Sequence, residues 1–184
     1  LWEECERLQV SVGIHEGAQH SGLRAPGYDR FNTNFALHAC SHPMEQMMAF
    51  LALLEGGVLE RHPTLKFAFL ESGCGWLPYW LWRLDELEYK NLAFEVAENV
   101  KMKPSEYFRR QCYIAAEPEP YLGGIIDFIG EDRILFASDY PHPDHRPDIT
   151  EELMELEGLL SKTSIISLAR FICTSIHFRF PIFF

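Results

Sequence analysis

Short, largely apolar runs that stop at an ionisable residue recur along this chain. They cover positions 8–14, 65–70, 112–116 and 134–137. Apolar runs of this length between turn signals are typical of strands buried on both faces of a sheet. Each predicted strand is followed within two residues by a side chain that can carry charge or bind a metal, and these residues are His15, Glu71, Glu117 and Asp139.

Helical patterns fill the intervals between these runs. The clearest begins at Pro43, because proline is tolerated at the first position of a helix, where its missing N–H costs nothing. The apolar residues that follow recur at helical spacing, which predicts a face packed on the core. They are Met44, Met47, Met48, Leu51, Leu54 and Val58. Residues 18–42 are predicted to be a long connection, and further helices are predicted near 76–90, 104–110, 121–129 and 149–161.

Strands that alternate with helices predict an α/β fold with a parallel sheet and right-handed crossovers. Four such units are half of the eight in a TIM-type (β/α) barrel, so we expect a partial barrel over residues 1–161. The segment 162–184 differs in composition. It is apolar and aromatic, but charged residues and Pro181 interrupt it, so it is too broken to predict a membrane span.

The predicted topology brings the strand-closing residues together. The carboxyl ends of parallel strands meet at one edge of a sheet, where folds of this kind bind ligands and carry out chemistry. His15, Glu71 and Asp139 are therefore expected at one edge, and the proline-containing loop after Asp139 also holds His142. A single histidine or aspartate at such a position most often only hydrogen-bonds a turn, but the combination favours a functional site.

The net charge and the cysteine content argue against several classes of protein for this chain. The net charge of −11 without a basic cluster argues against a nucleic-acid partner. Five cysteines without a CxxC pair argue against a disulfide framework and favour a reducing, cytoplasmic compartment. Cys74 is expected to be inert. No membrane partner is expected, and the first seven residues, which lack an initiator Met and resemble the end of a helix, predict a fragment.

Two stretches carry a resemblance to a known family. They are ERHPTLKFAFLESGCGWLPYWLWRLD at 60–85 and RILFASDYPH at 133–142. Both resemble the amidohydrolase-related family, in the branch that includes aminocarboxymuconate-semialdehyde decarboxylase and similar aromatic-acid decarboxylases. The resemblance runs from about residue 1 to 149 and corresponds to strands five to eight of that family's barrel.

This resemblance implies a divalent metal, most often zinc, with manganese as the alternative. His15 matches the ligand that follows the fifth strand, and Asp139 matches the carboxylate ligand that follows the eighth. A metal held in this way lowers the pKa of bound water to about 7. The family's first-strand pair of ligands has no counterpart in this sequence, and Glu71 stands where the family often has a catalytic histidine.

The implied function is a metal-dependent hydrolase that acts on a small organic substrate through activated water. Two alternatives are a metal-dependent carboxy-lyase on an aromatic or muconate-type acid, and a catalytically inactive fragment that persists as a homodimer. Glu71 is expected to act as a general base or to position another group. His142 is expected to share the acid–base work or to orient Asp139.

Overall fold

A computed structural model describes residues 1–15, 25–117, 119, 121–136, 151 and 154. Its strands are β1 (Val12–Ile14), β2 (Phe67–Phe69), β3 (Cys112–Ala116) and β4 (Ile134–Phe136). Its helices are α1 (Trp2–Arg7), α2 (Asn34–Glu55), α3 (Val58–Arg61), α4 (Leu77–Arg83), α5 (Lys90–Leu92), α6 (Pro104–Gln111) and α7 (Leu122–Ile129). A π-helical turn (Leu84–Tyr89) joins α4 to α5, and 3₁₀ turns cover Ala93–Val96 and Glu131–Arg133.

The four strands form one parallel sheet in the order β1-β2-β3-β4. Phe67 pairs with Val12 on one side and with Cys112 on the other, and Ile114 pairs with Ile134. Strands adjacent in sequence are thus adjacent in the sheet, with a helical connection in each interval. This arrangement confirms the predicted α/β fold with a parallel sheet and agrees with half of a barrel.

An aromatic cluster joins the sheet to its helices. Phe69 of β2 is fully buried, and its ring centroid lies 6.0 Å from that of Phe50 in α2 and 6.0 Å from that of Phe108 in α6. Trp76, just before α4, lies 6.4 Å from the same ring, edge-on. Three helices therefore pack on one face of β2 through a single side chain, and burying such a phenylalanine contributes about 1.5–3 kcal/mol.

The start of α2 differs from the prediction. The helix begins at Asn34, and the Thr33 hydroxyl accepts a hydrogen bond from the Ala36 N–H at 3.4 Å. Pro43 lies inside the helix and not at its first position. Residues 34–42, predicted to be part of a long connection, are helical. A proline inside a helix removes one backbone hydrogen bond, but a cap and the packing of the following turns offset that loss.

The buried face of α2 differs from the prediction in part. Met44 and Met48 are 44% and 46% exposed, so they do not pack on the core. The buried positions of α2 are Ser41, Gln46, Phe50, Leu53 and Leu54. The prediction is wrong for these two methionines and did not include Gln46, but Leu54 and Val58 are buried and Met47 and Leu51 pack against the core, as expected.

Among the described residues, no helix is long and apolar enough to cross a membrane. Glu151 and Met154 are helical, in agreement with the helix predicted over 149–161, while the segment 162–184 lies outside the described residues.

Candidate functional site

His15 and Glu71 meet at the carboxyl edge of the sheet. His15 directly follows β1, and Glu71 lies two residues after β2, its parallel neighbour. The Nε2 atom of His15 lies 2.6 Å from Oε2 of Glu71. Their side chains are 44% and 23% exposed, so the pair is accessible from solvent. The expectation that these two residues share one edge is confirmed.

The backbone of Glu71 is strained. Its φ of +54° lies in the left-handed region, which a side chain with a Cβ enters at a cost of about 1–2 kcal/mol. Strained positions of this kind persist where the surrounding structure holds them, and they cluster at functional sites. The carboxylate of this strained residue lies beside His15, at the point where the chain leaves β2.

A buried glutamine fixes the two strand ends that carry this pair. Gln46 of α2 is 1% exposed, and its Nε2 donates to the carbonyl oxygens of Ile14 and Leu70, each at 3.1 Å. These carbonyls belong to the residues directly before His15 and Glu71. One amide group therefore sets the separation of the two strand ends, which explains why a polar residue lies in the buried stripe of α2.

We expect the substitution Gln46→Met to lower the free energy of unfolding by about 1–3 kcal/mol, because two buried carbonyls lose their donor while the side chain keeps its volume. Urea denaturation of both proteins measures the difference. Gln46→Glu is a sharper variant, since it places a carboxylate oxygen against the same two carbonyls, and it is expected to cost more. Equal stability of Gln46→Met and the unchanged protein would contradict the role of this amide.

The turn that follows Glu71 is hydrogen-bonded to the carboxylate of Glu119, which lies in the loop after β3. Oε1 of Glu119 accepts a hydrogen bond from the Cys74 N–H at 2.5 Å. Gly73 has a φ of +61°, and a Cβ at Gly75 would lie 2.8 Å from the Glu119 carboxylate. The glycines thus allow the carboxylate to approach the backbone closely. Glu119 ties the loop after β3 to the loop that carries Glu71.

The Cys74 thiol is unsuited to nucleophilic chemistry. Burial raises its pKa well above the ordinary value of 9.0, and the nearby Glu119 carboxylate raises it further. Cys112 is also fully buried, and burial raises the pKa of its thiol as well. These surroundings agree with the expectation of an inert Cys74. Among the described cysteines, Cys5, Cys40, Cys74 and Cys112 are free thiols.

Because the pKa values of these two thiols are raised, we expect the folded protein to lose stability at alkaline pH. Both keep their protons in the folded protein above pH 9, where an unfolded thiol gives its proton up. The folded chain then binds more protons than the unfolded chain, so stability falls as pH rises above about 9. Urea denaturation between pH 7 and 10.5 measures the slope. Cys74→Ser is expected to reduce that slope, and an unchanged slope would contradict the assignment.

The other two expected site residues, Asp139 and His142, lie outside the described residues. Within the part of the chain that the structure describes, no three His, Cys, Asp or Glu side chains come together in a way that could hold a metal. His15 supplies an imidazole nitrogen, which zinc and manganese both accept, while Glu71 beside it offers a carboxyl group for acid–base work. The described donor set therefore fits a divalent metal but is completed only by a further ligand.

Gln46 and Glu119 are the site residues that the sequence pattern did not indicate. Each acts through a hydrogen bond to backbone more than 20 residues away, and such contacts leave no local signal in a sequence. Glu117, which closes β3 in the sequence pattern, is exposed.

Comparison with known proteins finds one matching family and several relatives. Residues 1–162 match the sequence model of a family described as amidohydrolase. The 2-amino-3-carboxymuconate-6-semialdehyde decarboxylase of Dictyostelium discoideum is 27% identical over 145 residues, which are 78% of this chain and 38% of that protein. The gamma-resorcylate decarboxylase of Polaromonas sp. (strain JS666) is 30% identical over 165 residues, covering 80% of this chain and 46% of that protein. The chain thus spans less than half the length of these relatives.

Solved structures share the fold. A 5-carboxyvanillate decarboxylase from Sphingomonas paucimobilis superposes with a TM-score of 0.70 at 25% identity, covering 97% of this chain and 52% of that chain. An amidohydrolase from Mycobacterium avium subsp. paratuberculosis gives 0.72 at 24% identity, over 91% and 42%. A dihydroxybenzoic acid decarboxylase from Polaromonas sp. JS666, solved with manganese and the inhibitor 2-nitroresorcinol, gives 0.67 at 23% identity, over 95% and 52%. These likenesses confirm the predicted barrel-type fold.

Proposed function

Because this chain belongs to the amidohydrolase family, we propose that the protein containing it is a metal-dependent carboxy-lyase that removes CO₂ from a hydroxylated aromatic acid. The observation that carries the proposal is the His15–Glu71 pair, 2.6 Å apart at the carboxyl edge of the sheet. The relatives support this reaction over the hydrolase expected from sequence, since they are named as decarboxylases of carboxylated aromatic or muconate-type compounds.

The metal in this proposal is a divalent cation, with manganese ahead of zinc. Manganese is bound in the Polaromonas dihydroxybenzoic acid decarboxylase, whereas zinc was the first expectation from sequence. His15 and Asp139 would hold the ion, since His15 directly follows the first strand and Asp139 comes three residues after the end of the fourth in the sequence. When bound, the metal supplies positive charge that attracts the oxygens of an anionic substrate, which the chain's net charge of −11 would otherwise repel.

The chain's own residues supply the proton that the reaction needs. As the bond between the ring and its carboxylate breaks, the electron pair stays on the ring carbon and CO₂ departs. The ring carbon then takes a proton. In this proposal Glu71 carries that proton, and His15 beside it holds the carboxyl in place. His142 remains the second candidate for the acid, as the sequence suggested.

Release of CO₂ distinguishes the proposed carboxy-lyase from a hydrolase. The native protein that contains this sequence is loaded with Mn²⁺ and given 2,6-dihydroxybenzoate, and CO₂ and the resorcinol product are measured. We expect both products in equal amounts, in a reaction that chelation stops. Hydrolysis of an ester or lactone panel without CO₂ release from any aromatic acid would contradict the carboxy-lyase and restore the hydrolase.

A further inference from the structure

Two histidines near the start of α2 have no role in the site described above. His38 and His42 are four residues apart, which places both side chains on one face of the helix. Their ring centroids lie 4.7 Å apart at an interplanar angle of 44°. Two histidines at this spacing on one helix face also supply the zinc ligands of H-E-x-x-H enzymes. We propose that His38 and His42 form a binding site for a transition-metal ion, separate from His15 and Glu71.

Ser41 prepares His42 for this role. The Ser41 hydroxyl donates to the carbonyl oxygen of His38 at 3.3 Å, and its oxygen lies 3.1 Å from Nδ1 of His42. A hydroxyl has one hydrogen, so with that hydrogen on the carbonyl the oxygen accepts from an Nδ1–H. In this tautomer the lone pair of the neutral imidazole is on Nε2, and among the described residues no hydrogen bond engages that atom.

The burial of Ser41 makes this arrangement rigid. Ser41 is 1% exposed, so water does not compete with the two hydrogen bonds of its hydroxyl to the His38 carbonyl and to His42 Nδ1. Groups that bind the far nitrogen of a metal-ligating histidine fix its tautomer and ring orientation, and their removal typically costs 10–100-fold in affinity. Ser41 therefore holds the position that such an orienting group occupies in known metal sites.

The pair lies beyond the carboxyl edge of the sheet. α2 joins two parallel strands, so it runs opposite to them and its first turns lie at their carboxyl ends. Gln46 marks the level of the strand ends, since it binds the carbonyls of Ile14 and Leu70. At a rise of about 1.5 Å per residue, His42 and His38 lie roughly 6 Å and 12 Å further along the helix axis.

The ligand chemistry selects the ion. Imidazole suits nickel, copper and zinc, whereas carboxylate oxygens suit manganese. A site of two imidazoles therefore favours Ni²⁺, Cu²⁺ and Zn²⁺ over Mn²⁺, with water in the remaining positions. Since imidazole and carboxylate sites follow the same order of affinity, variants of His38 and His42, and not the choice of ion, separate this test from that of the proposed carboxy-lyase.

Titration of the untagged native protein with Ni²⁺ alone, followed by calorimetry, tests the site. We expect His38→Ala and His42→Ala each to weaken binding more than Ser41→Ala, which is expected to weaken it about tenfold or more. Met48→Ala, at an exposed position further along the same helix, is the control and is expected to leave this binding unchanged. Unchanged affinity and stoichiometry in the double variant His38→Ala/His42→Ala would overturn the proposal.

An NMR measurement on the unchanged protein tests the site without any variant, in case a variant fails to fold. Sub-stoichiometric Cu²⁺ broadens the NMR signals of ring protons close to it. We expect the His38 and His42 signals to broaden first and together. Early broadening of other histidines, with these two signals left sharp, would overturn the site whatever the variants show.

Discussion

The substitution Glu71→Gln is expected to lower the rate of CO₂ release by about 10²–10⁴-fold, the range that a positioned general acid or base contributes. Glutamine keeps the size of the side chain and can still hydrogen-bond His15, but it has no proton to deliver to a ring carbon. We expect the value of KM to change less than kcat, because the loss falls on the chemical step. Steady-state measurement of CO₂ release with Mn²⁺ and 2,6-dihydroxybenzoate checks this.

Two further variants test whether the loss of activity is specific to the carboxyl group of Glu71. Glu98→Gln makes the same chemical change at an exposed glutamate away from the sheet edge, and it is expected to leave the rate unchanged. Glu71→Asp keeps a carboxyl on a shorter side chain and is expected to retain part of the activity. A Glu71→Gln protein that releases CO₂ at the original rate would remove Glu71 from the chemistry and leave His142 as the acid.

The second large effect is expected in the core. Phe69→Ala should lower the free energy of unfolding by about 3–5 kcal/mol, since the ring is fully buried and its removal leaves a cavity. The cavity opens against Phe50, Phe108 and Trp76, which belong to or adjoin three different helices. The free energy of unfolding of a native domain is about 5–15 kcal/mol, so this single change removes a large share of the stability. Urea denaturation followed by circular dichroism measures it.

An exposed phenylalanine provides the matched control. Phe94 is 73% exposed, and Phe94→Ala is expected to change stability by less than about 0.5 kcal/mol. Similar losses in Phe69→Ala and Phe94→Ala would show that the aromatic cluster does not hold the helices to the sheet.

The strands and their edge could be read from the sequence because their signals are local. The run at 112–116 gave β3 with its observed bounds, Cys112–Ala116, and the runs ending at His15 and Glu71 placed both residues at the edge where the structure has them. An apolar run bounded by turn residues needs no knowledge of distant contacts. The observed β1 and β2 are shorter than their runs, since the outer residues lie beyond the paired register.

The features that were missed depend on contacts between distant parts of the chain. Pro43 satisfied the rule for a helix start, but the true cap is Thr33, which lacks the acidic or amide residue three positions later that would have marked it. With residues 34–42 interpreted as a connection, the helical spacing of His38 and His42 could not be seen. Gln46 broke the apolar stripe because its partners are the carbonyls of two strands.

The most direct test of the central claim is an anomalous diffraction experiment on manganese-loaded crystals of the native protein. The claim is that His15 and Asp139 hold one divalent ion at the carboxyl edge of the sheet, beside Glu71. We expect a manganese peak within bonding distance of a His15 nitrogen and an Asp139 oxygen, and its loss in Asp139→Asn. A fully folded protein with no manganese at His15, or with the ion bound elsewhere only, would contradict the proposed metal-dependent carboxy-lyase.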